Sequence, residues 1–166
     1  SHGMRNWATR AVGELAHRRD EINALNVFPV PDSDTGSNMA HTMEAAVAEL
    51  DNGGDVADSL AIGAVRGARG NSGMVLSQVL RGIAESTVDS VIDGAVFARS
   101  LQQAVELVDR AIVEPVEGTV VTVLKAAAEA ADDAQAQSGA TLHSIVSATI
   151  AAAETALERT PSQLPA

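Results

Sequence analysis

Two aspartates one residue apart, Asp32 and Asp34, lie in the stretch Asn26-Val27-Phe28-Pro29-Val30-Pro31-Asp32-Ser33-Asp34-Thr35-Gly36-Ser37-Asn38-Met39. Pro29 and Pro31 hold the backbone extended and bar a helix there. Gly36 and small hydroxyl residues then release the chain into an apolar run of helical period. The carboxylates are thus presented on a stiff loop just ahead of a helix N-terminus. Two carboxylates this close repel unless a cation lies between them or one is protonated. Hard oxygen ligands with few neighbours suit Mg²⁺, which keeps several waters and completes its shell with phosphate oxygens. The same residue types also serve plain structure, Asp32 as a turn residue and Asp34 as an N-cap. An EF-hand loop is excluded: Gly36 comes one position early, and Met43 stands where the bidentate glutamate belongs.

Gly70-Asn71-Ser72-Gly73 is the second stretch with chemical potential. Glycines let a backbone approach a ligand closely. A helix beginning after them aims free N–H groups and a positive dipole end into the loop, which makes a phosphate cradle without lysine. It is not a Walker A loop, because the Gly-Lys-Ser/Thr terminus is missing. An ordinary glycine-rich helix–helix turn reads the same way. A third junction, Pro115-Val116-Glu117-Gly118-Thr119, again joins a breaker, a glycine and a hydroxyl at a helix start; a simple N-cap is its plain alternative. In helices that run alternately up and down, the junctions at 31–38, 67–73 and 114–119 fall at one end of the bundle.

The elements that must position these junctions are helical. Apolar residues make up 46% of the chain but aromatics only 2%, so alanine, valine and leucine fill the core, which favours closely packed helices. Helical period runs over 5–22, with Trp7, Ala11, Leu15 and Ile22 on one stripe, and resumes over 36–50 through Met39, Met43, Val47 and Leu50. Asp51-Asn52-Gly53-Gly54 is a stop signal. Further helices are expected over 55–66 and 74–84. The helix over 93–113 should bury Phe97, Leu101, Ala104, Val105, Val108 and Ile112 and expose Arg99, Gln102, Gln103, Glu106 and Asp109. Two more span 119–134 and 141–158, and 159–166 is a frayed, proline-punctuated end. No strand alternation appears. About seven helices with short joins make an all-α single domain.

A formal charge of −11, from 22 acidic against 11 basic residues with Lys125 the one lysine, argues against a nucleic-acid surface. Any anionic ligand must therefore be met by metal ions and backbone N–H groups. The absence of cysteine excludes disulfides, thiolate chemistry and cysteine-ligated zinc. With no long apolar run and no signal-peptide pattern, a cytoplasmic location is expected. Ser1-His2-Gly3 reads as a tag scar ahead of the domain over 4–166.

These motifs carry a resemblance. Residues 26–39 resemble the Asn-Val-Phe-Pro-Val-Pro-Asp-Gly-Asp-Thr-Gly-Thr-Asn-Met signature of bacterial fatty acid kinases. Residues 67–82 resemble that family's Gly-Ala-Arg-Gly-Asn-Ser-Gly stretch and following helix, and 114–122 its Pro-Val-Glu-Gly-Thr segment. The domain is also similar to the nucleotide-binding subunit of dihydroxyacetone kinase.

The resemblance implies an antiparallel barrel of about eight helices that binds ATP and two Mg²⁺ at one open end. It implies metal ligation by Asp32 and Asp34, with Asn26 near a further ligand position. Thr35 and Asn38 would line the metal–phosphate site, Gly70, Asn71, Ser72 and Gly73 would hold the phosphates, and Gly118 and Thr119 would border the nucleotide. The implied reaction is phosphorylation of the carboxylate of a fatty acid held by a carrier protein. A dihydroxyacetone-type kinase subunit and a non-catalytic nucleotide-sensing module are the alternatives. The resemblance names no acceptor-activating residue.

Ser33 departs from the family's glycine between the aspartates. The family also continues into a glycine-rich segment that closes the nucleotide site and into later domains that dock the carrier. The chain reads as an excised N-terminal domain without those parts, binding nucleotide but inactive in transfer, and the full-length protein is expected to homodimerise. His17, His41 and His143 read as solvated or capping, Met39 and Met43 as core. Arg69 is a candidate phosphate partner or an ion-pair residue, and Glu117 a helix-start acid.

Overall fold

Alanine, valine and leucine recurring at helical spacing fold in the computed structural model into seven α-helices, with no strand among the described residues. The structure describes residues 2–27, 31–89, 91–112 and 119–164. The helices are α1 (His2–Ala24), α2 (Thr35–Glu49), α3 (Val56–Gly67), α4 (Gly70–Ser86), α5 (Gly94–Ala111), α6 (Val120–Gln135) and α7 (Leu142–Gln163), and a 3₁₀ turn (Leu50–Asn52) follows α2. The all-α class read from the sequence is therefore the observed one. The chain comprises two compact units, Ser1–Ala84 and Glu85–Ala166.

In the first unit, Ala8, Met43, Ala46, Leu50, Leu60, Ala64 and Leu80 form the buried core. The α1 stripe is rotated from the expected one. Met4, Ala11, Val12 and Leu15 pack on the core around the fully buried Ala8, while Trp7 is 48% exposed. A small residue suits this seam because α1 and α2 approach closely. A Cβ on Gly36 would run into the Arg19 carbonyl and lie 3.0 Å from Ile22 Cβ. The stop signal after α2 works through Gly53 and Gly54, whose φ angles of 80° and 105° favour glycine. Asp55 then caps α3 by accepting the Ala57 N–H at 2.9 Å.

In the second unit, Ala98, Ala131 and Ile145 are buried, and Phe97 and Leu101 pack against them. Of the residues expected to face solvent on α5, Gln102 instead sits half-buried and donates to the Ala128 carbonyl on α6 at 3.1 Å. The expected frayed end is helical through Pro161 to Gln163. Proline removes the N–H that would reach the Leu157 carbonyl, and the Thr160 hydroxyl donates to that carbonyl at 2.8 Å instead.

Candidate functional site

The site is built where the end of α1 meets the start of α2. Ordinarily the first four N–H groups of a helix lack partners and the N-cap side chain accepts one of them. Asp34 occupies the N-cap position of α2, yet its side chain makes no cap hydrogen bond. Asn26 does that work. Its Oδ1 accepts from the Asp34 N–H at 3.2 Å, the Thr35 N–H at 3.2 Å and the Thr35 hydroxyl at 2.8 Å. Asn23 supplies the next acceptor: its Oδ1 takes the Ser37 N–H at 3.1 Å, and its Nδ2 donates to the Ser37 hydroxyl at 3.0 Å. Asn23 in α1 and Asn26 just after it thus accept three of the backbone N–H groups at the start of α2.

That substitution leaves the aspartates unencumbered. Asp32 and Asp34 are both exposed, and neither carboxylate has a hydrogen bond or ion pair among the described residues. Between them, Ser33 has φ 55°, in the left-handed region. This conformation is one glycine adopts freely and serine at a cost of about 1–2 kcal/mol. It explains physically why a glycine suits this position and how serine still presents both carboxylates.

The donor set fits a hard cation that brings most of its own shell. Among the described residues no three carboxylate, imidazole or thiolate groups cluster as a closed metal cage. Two aspartates with room for water and phosphate oxygens are what Mg²⁺ accepts. Asn26 is a capping residue in this geometry, since its amide oxygen already carries the donors named above.

The second junction packs directly on the first. Helix α4 begins at Gly70, not at Met74, so Gly70-Asn71-Ser72-Gly73 is its first turn rather than a loop before it. Gly70 enters at φ 63°, and the first helical bond runs from the Gly73 N–H to the Arg69 carbonyl at 3.1 Å. The N–H groups of Gly70, Asn71 and Ser72 precede that bond, in the position where helix starts take anions. Glycine at 70 and 73 is required by packing. A Cβ on Gly70 would lie 2.6 Å from Asn38 Nδ2, and one on Gly73 would run into the Thr42 hydroxyl. Asn38, the residue expected beside the metal, therefore also touches the cradle, as does Thr42.

At the third junction, 113–118 lies outside the described residues, Gly118 and Glu117 included. Thr119 caps α6 in the second unit, accepting the Val121 N–H at 3.4 Å. Lys125, in the same unit, pairs with Asp109 at 2.9 Å. Among the other residues weighed from sequence, Met43 is core at 1% exposure, and His17 and His143 are exposed. Arg69 is exposed, and its backbone N–H donates to Thr42. Asn23 and Thr42 were not legible as site residues. The signal for Asn23 is its place one helical turn before Asn26, and for Thr42 a hydroxyl beside Met43.

Comparison with known proteins gives a family model described as "DAK2 domain", which matches residues 29–166. Protein YloV of Bacillus subtilis (strain 168) is 40% identical over 157 residues, covering 91% of this chain and 28% of that protein. An uncharacterised protein of Staphylococcus aureus (strain USA300) is 38% identical over 156 residues, covering 90% of this chain and 28% of its own length. The chain thus spans 28% of the length of these curated relatives.

Proposed function

The chain belongs to the DAK2 domain family, and from that premise we propose that it is the Mg-ATP-binding domain of a kinase. The observation that carries this reading is the pair Asp32 and Asp34, relieved of capping by Asn26 and Asn23 and held exposed at a helix start. Asp32 and Asp34 are the metal ligands, and Asn26 sets the loop that presents them. The metal when bound neutralises charge on the transferring phosphoryl group. The N–H groups of Gly70, Asn71 and Ser72 receive phosphate oxygens, and Asn38 bridges the two junctions. Thr35 lines the metal–phosphate site, and the likeness of residues 114–122 to the family's Pro-Val-Glu-Gly-Thr segment supports a nucleotide-bordering role for Gly118 and Thr119.

Phosphoryl transfer needs mainly positioning and charge stabilisation, and these residues supply both. The acceptor we favour is the carboxylate of a fatty acid on a carrier protein, supported by the likeness of residues 26–39 to the fatty acid kinase signature. A dihydroxyacetone-type acceptor is the second reading, favoured by the family description itself.

No helix among the described residues is long and apolar enough to cross a membrane. A melting scan tests nucleotide binding. A ligand bound only to the native state stabilises it by RT ln(1 + [L]/Kd), about 2.7 kcal/mol at a hundredfold excess over Kd. Each kcal/mol raises Tm by about 2–4 °C at this size, so saturating Mg-ATP should raise Tm by roughly 5–10 °C. EDTA should remove most of the gain, because an acidic chain with one lysine has little else to offset a triphosphate. An equal shift in EDTA would show that the aspartates do not hold the metal that holds the nucleotide.

A further inference from the structure

Thr42 is fully buried on α2, at 0% exposure, beside the buried Met43 and Ala46. Its hydroxyl donates to the Asn38 carbonyl at 2.7 Å, one turn back along the same helix. The same oxygen accepts the backbone N–H of Arg69 at 3.3 Å, across 27 residues of sequence. The first of these bonds is the common way for a helical threonine to satisfy itself. The second is what ties the residue before α4 to α2.

The neighbouring contacts repeat the tie in register. Asn38 lies against Gly70, and Thr42 lies against Gly73. One turn of α2 therefore grips the first turn of α4, and a hydroxyl stands at the centre of the grip where valine would fill the same volume.

We propose that Thr42 is a positioning residue for the nucleotide site. It anchors Arg69, and through Arg69 it sets the N–H groups of Gly70, Asn71 and Ser72 relative to the loop that carries Asp32 and Asp34. The inference rests on the Mg-ATP reading given above. Losing the hydroxyl frees Arg69 and lets the start of α4 drift, so nucleotide binding suffers more than the fold does.

The test is calorimetric titration of ATP in saturating MgCl₂ against the wild type, Thr42→Ser, Thr42→Ala and Thr42→Val, with a ligand-free melting curve for each. Serine keeps the hydroxyl and should bind within about twofold of wild type. Alanine and valine lack it and should bind roughly three- to tenfold more weakly, the range one hydrogen bond covers. The ligand-free melting order should differ: valine, which keeps the volume, should melt nearer wild type than serine or alanine, which leave space in the core. Should Thr42→Val fail to fold, the serine–alanine pair, which differs by the hydroxyl alone, still decides. Equal affinities across all variants would overturn the inference while leaving the nucleotide reading intact. Affinity losses that simply track the loss of melting temperature would overturn it too, in favour of plain packing. A wild type that binds no Mg-ATP would overturn the nucleotide reading and this inference with it.

Discussion

Replacing Asn26 by alanine removes the carboxamide whose oxygen receives three donors. In the native structure that oxygen receives the Asp34 and Thr35 N–H groups at 3.2 Å and the Thr35 hydroxyl at 2.8 Å. Loss of an N-cap acceptor to alanine costs about 0.5–2 kcal/mol. Asp34 is exposed and its N–H recovers a bond to water, whereas Thr35 is half-buried, which places the expected loss near the middle, about 1–1.5 kcal/mol. At roughly 2–4 °C per kcal/mol, Tm should fall by about 2–6 °C. Asn26→Asp retains an acceptor at the positive end of α2 and should keep most of the stability. The assay is a ligand-free melting curve for each variant, followed by titration with Mg-ATP. Alanine should lose affinity as well as stability, because the loop presenting Asp34 is no longer pinned. If Asn26→Ala melted with wild type and bound Mg-ATP equally well, Asn26 would not be organising the loop, and the aspartates would owe their exposure to something else.

Other consequences are simpler. Ser33→Gly relieves a left-handed serine at φ 55° and should raise stability by up to about 1 kcal/mol in urea titration, with Mg-ATP affinity retained; a clear loss of stability would contradict the strain. Gly73→Val forces a side chain onto the Thr42 hydroxyl and should cost about 1–3 kcal/mol or more in the absence of any ligand. A variant as stable as wild type when ligand-free would show that the two helices need not approach so closely. Ser72→Ala, by contrast, keeps the backbone N–H assigned to phosphate, so it should leave ligand-free melting within about 0.5 kcal/mol and weaken Mg-ATP binding by no more than one side-chain hydrogen bond, about 0.5–1.5 kcal/mol, which calorimetry reads directly.

Much of this organisation was legible because it rests on local rules. The breakers at 51–54 and the alternation of alanine, valine and leucine with polar residues located the helices. Pro31, directly before Asp32, marked the break ahead of α2, while Pro29 lies outside the described residues. What stayed hidden depends on approach between helices. Gly70 and Gly73 were read as places where backbone can approach a ligand, and nothing in the sequence signalled that Asn38 and Thr42 lie against them. Trp7 looked like a core anchor by period, but the close α1–α2 seam takes Ala8. Asp34 looked like a cap, and only the fold reveals that Asn26, eight residues earlier, has taken the role. Pro161 looked like a stop, and Thr160 compensates for it.

The central claim is that Asp32 and Asp34 hold the metal that holds the nucleotide, and calorimetric titration of Mg-ATP into Asp32→Asn and Asp34→Asn tests it most directly. Both residues are exposed, and neither carboxylate is bonded to the fold among the described residues, so far-UV circular dichroism should match wild type in each variant. The account predicts that each substitution abolishes Mg-dependent ATP binding while the helices remain intact. Wild-type affinity in both variants, with the helices equally intact, would contradict it.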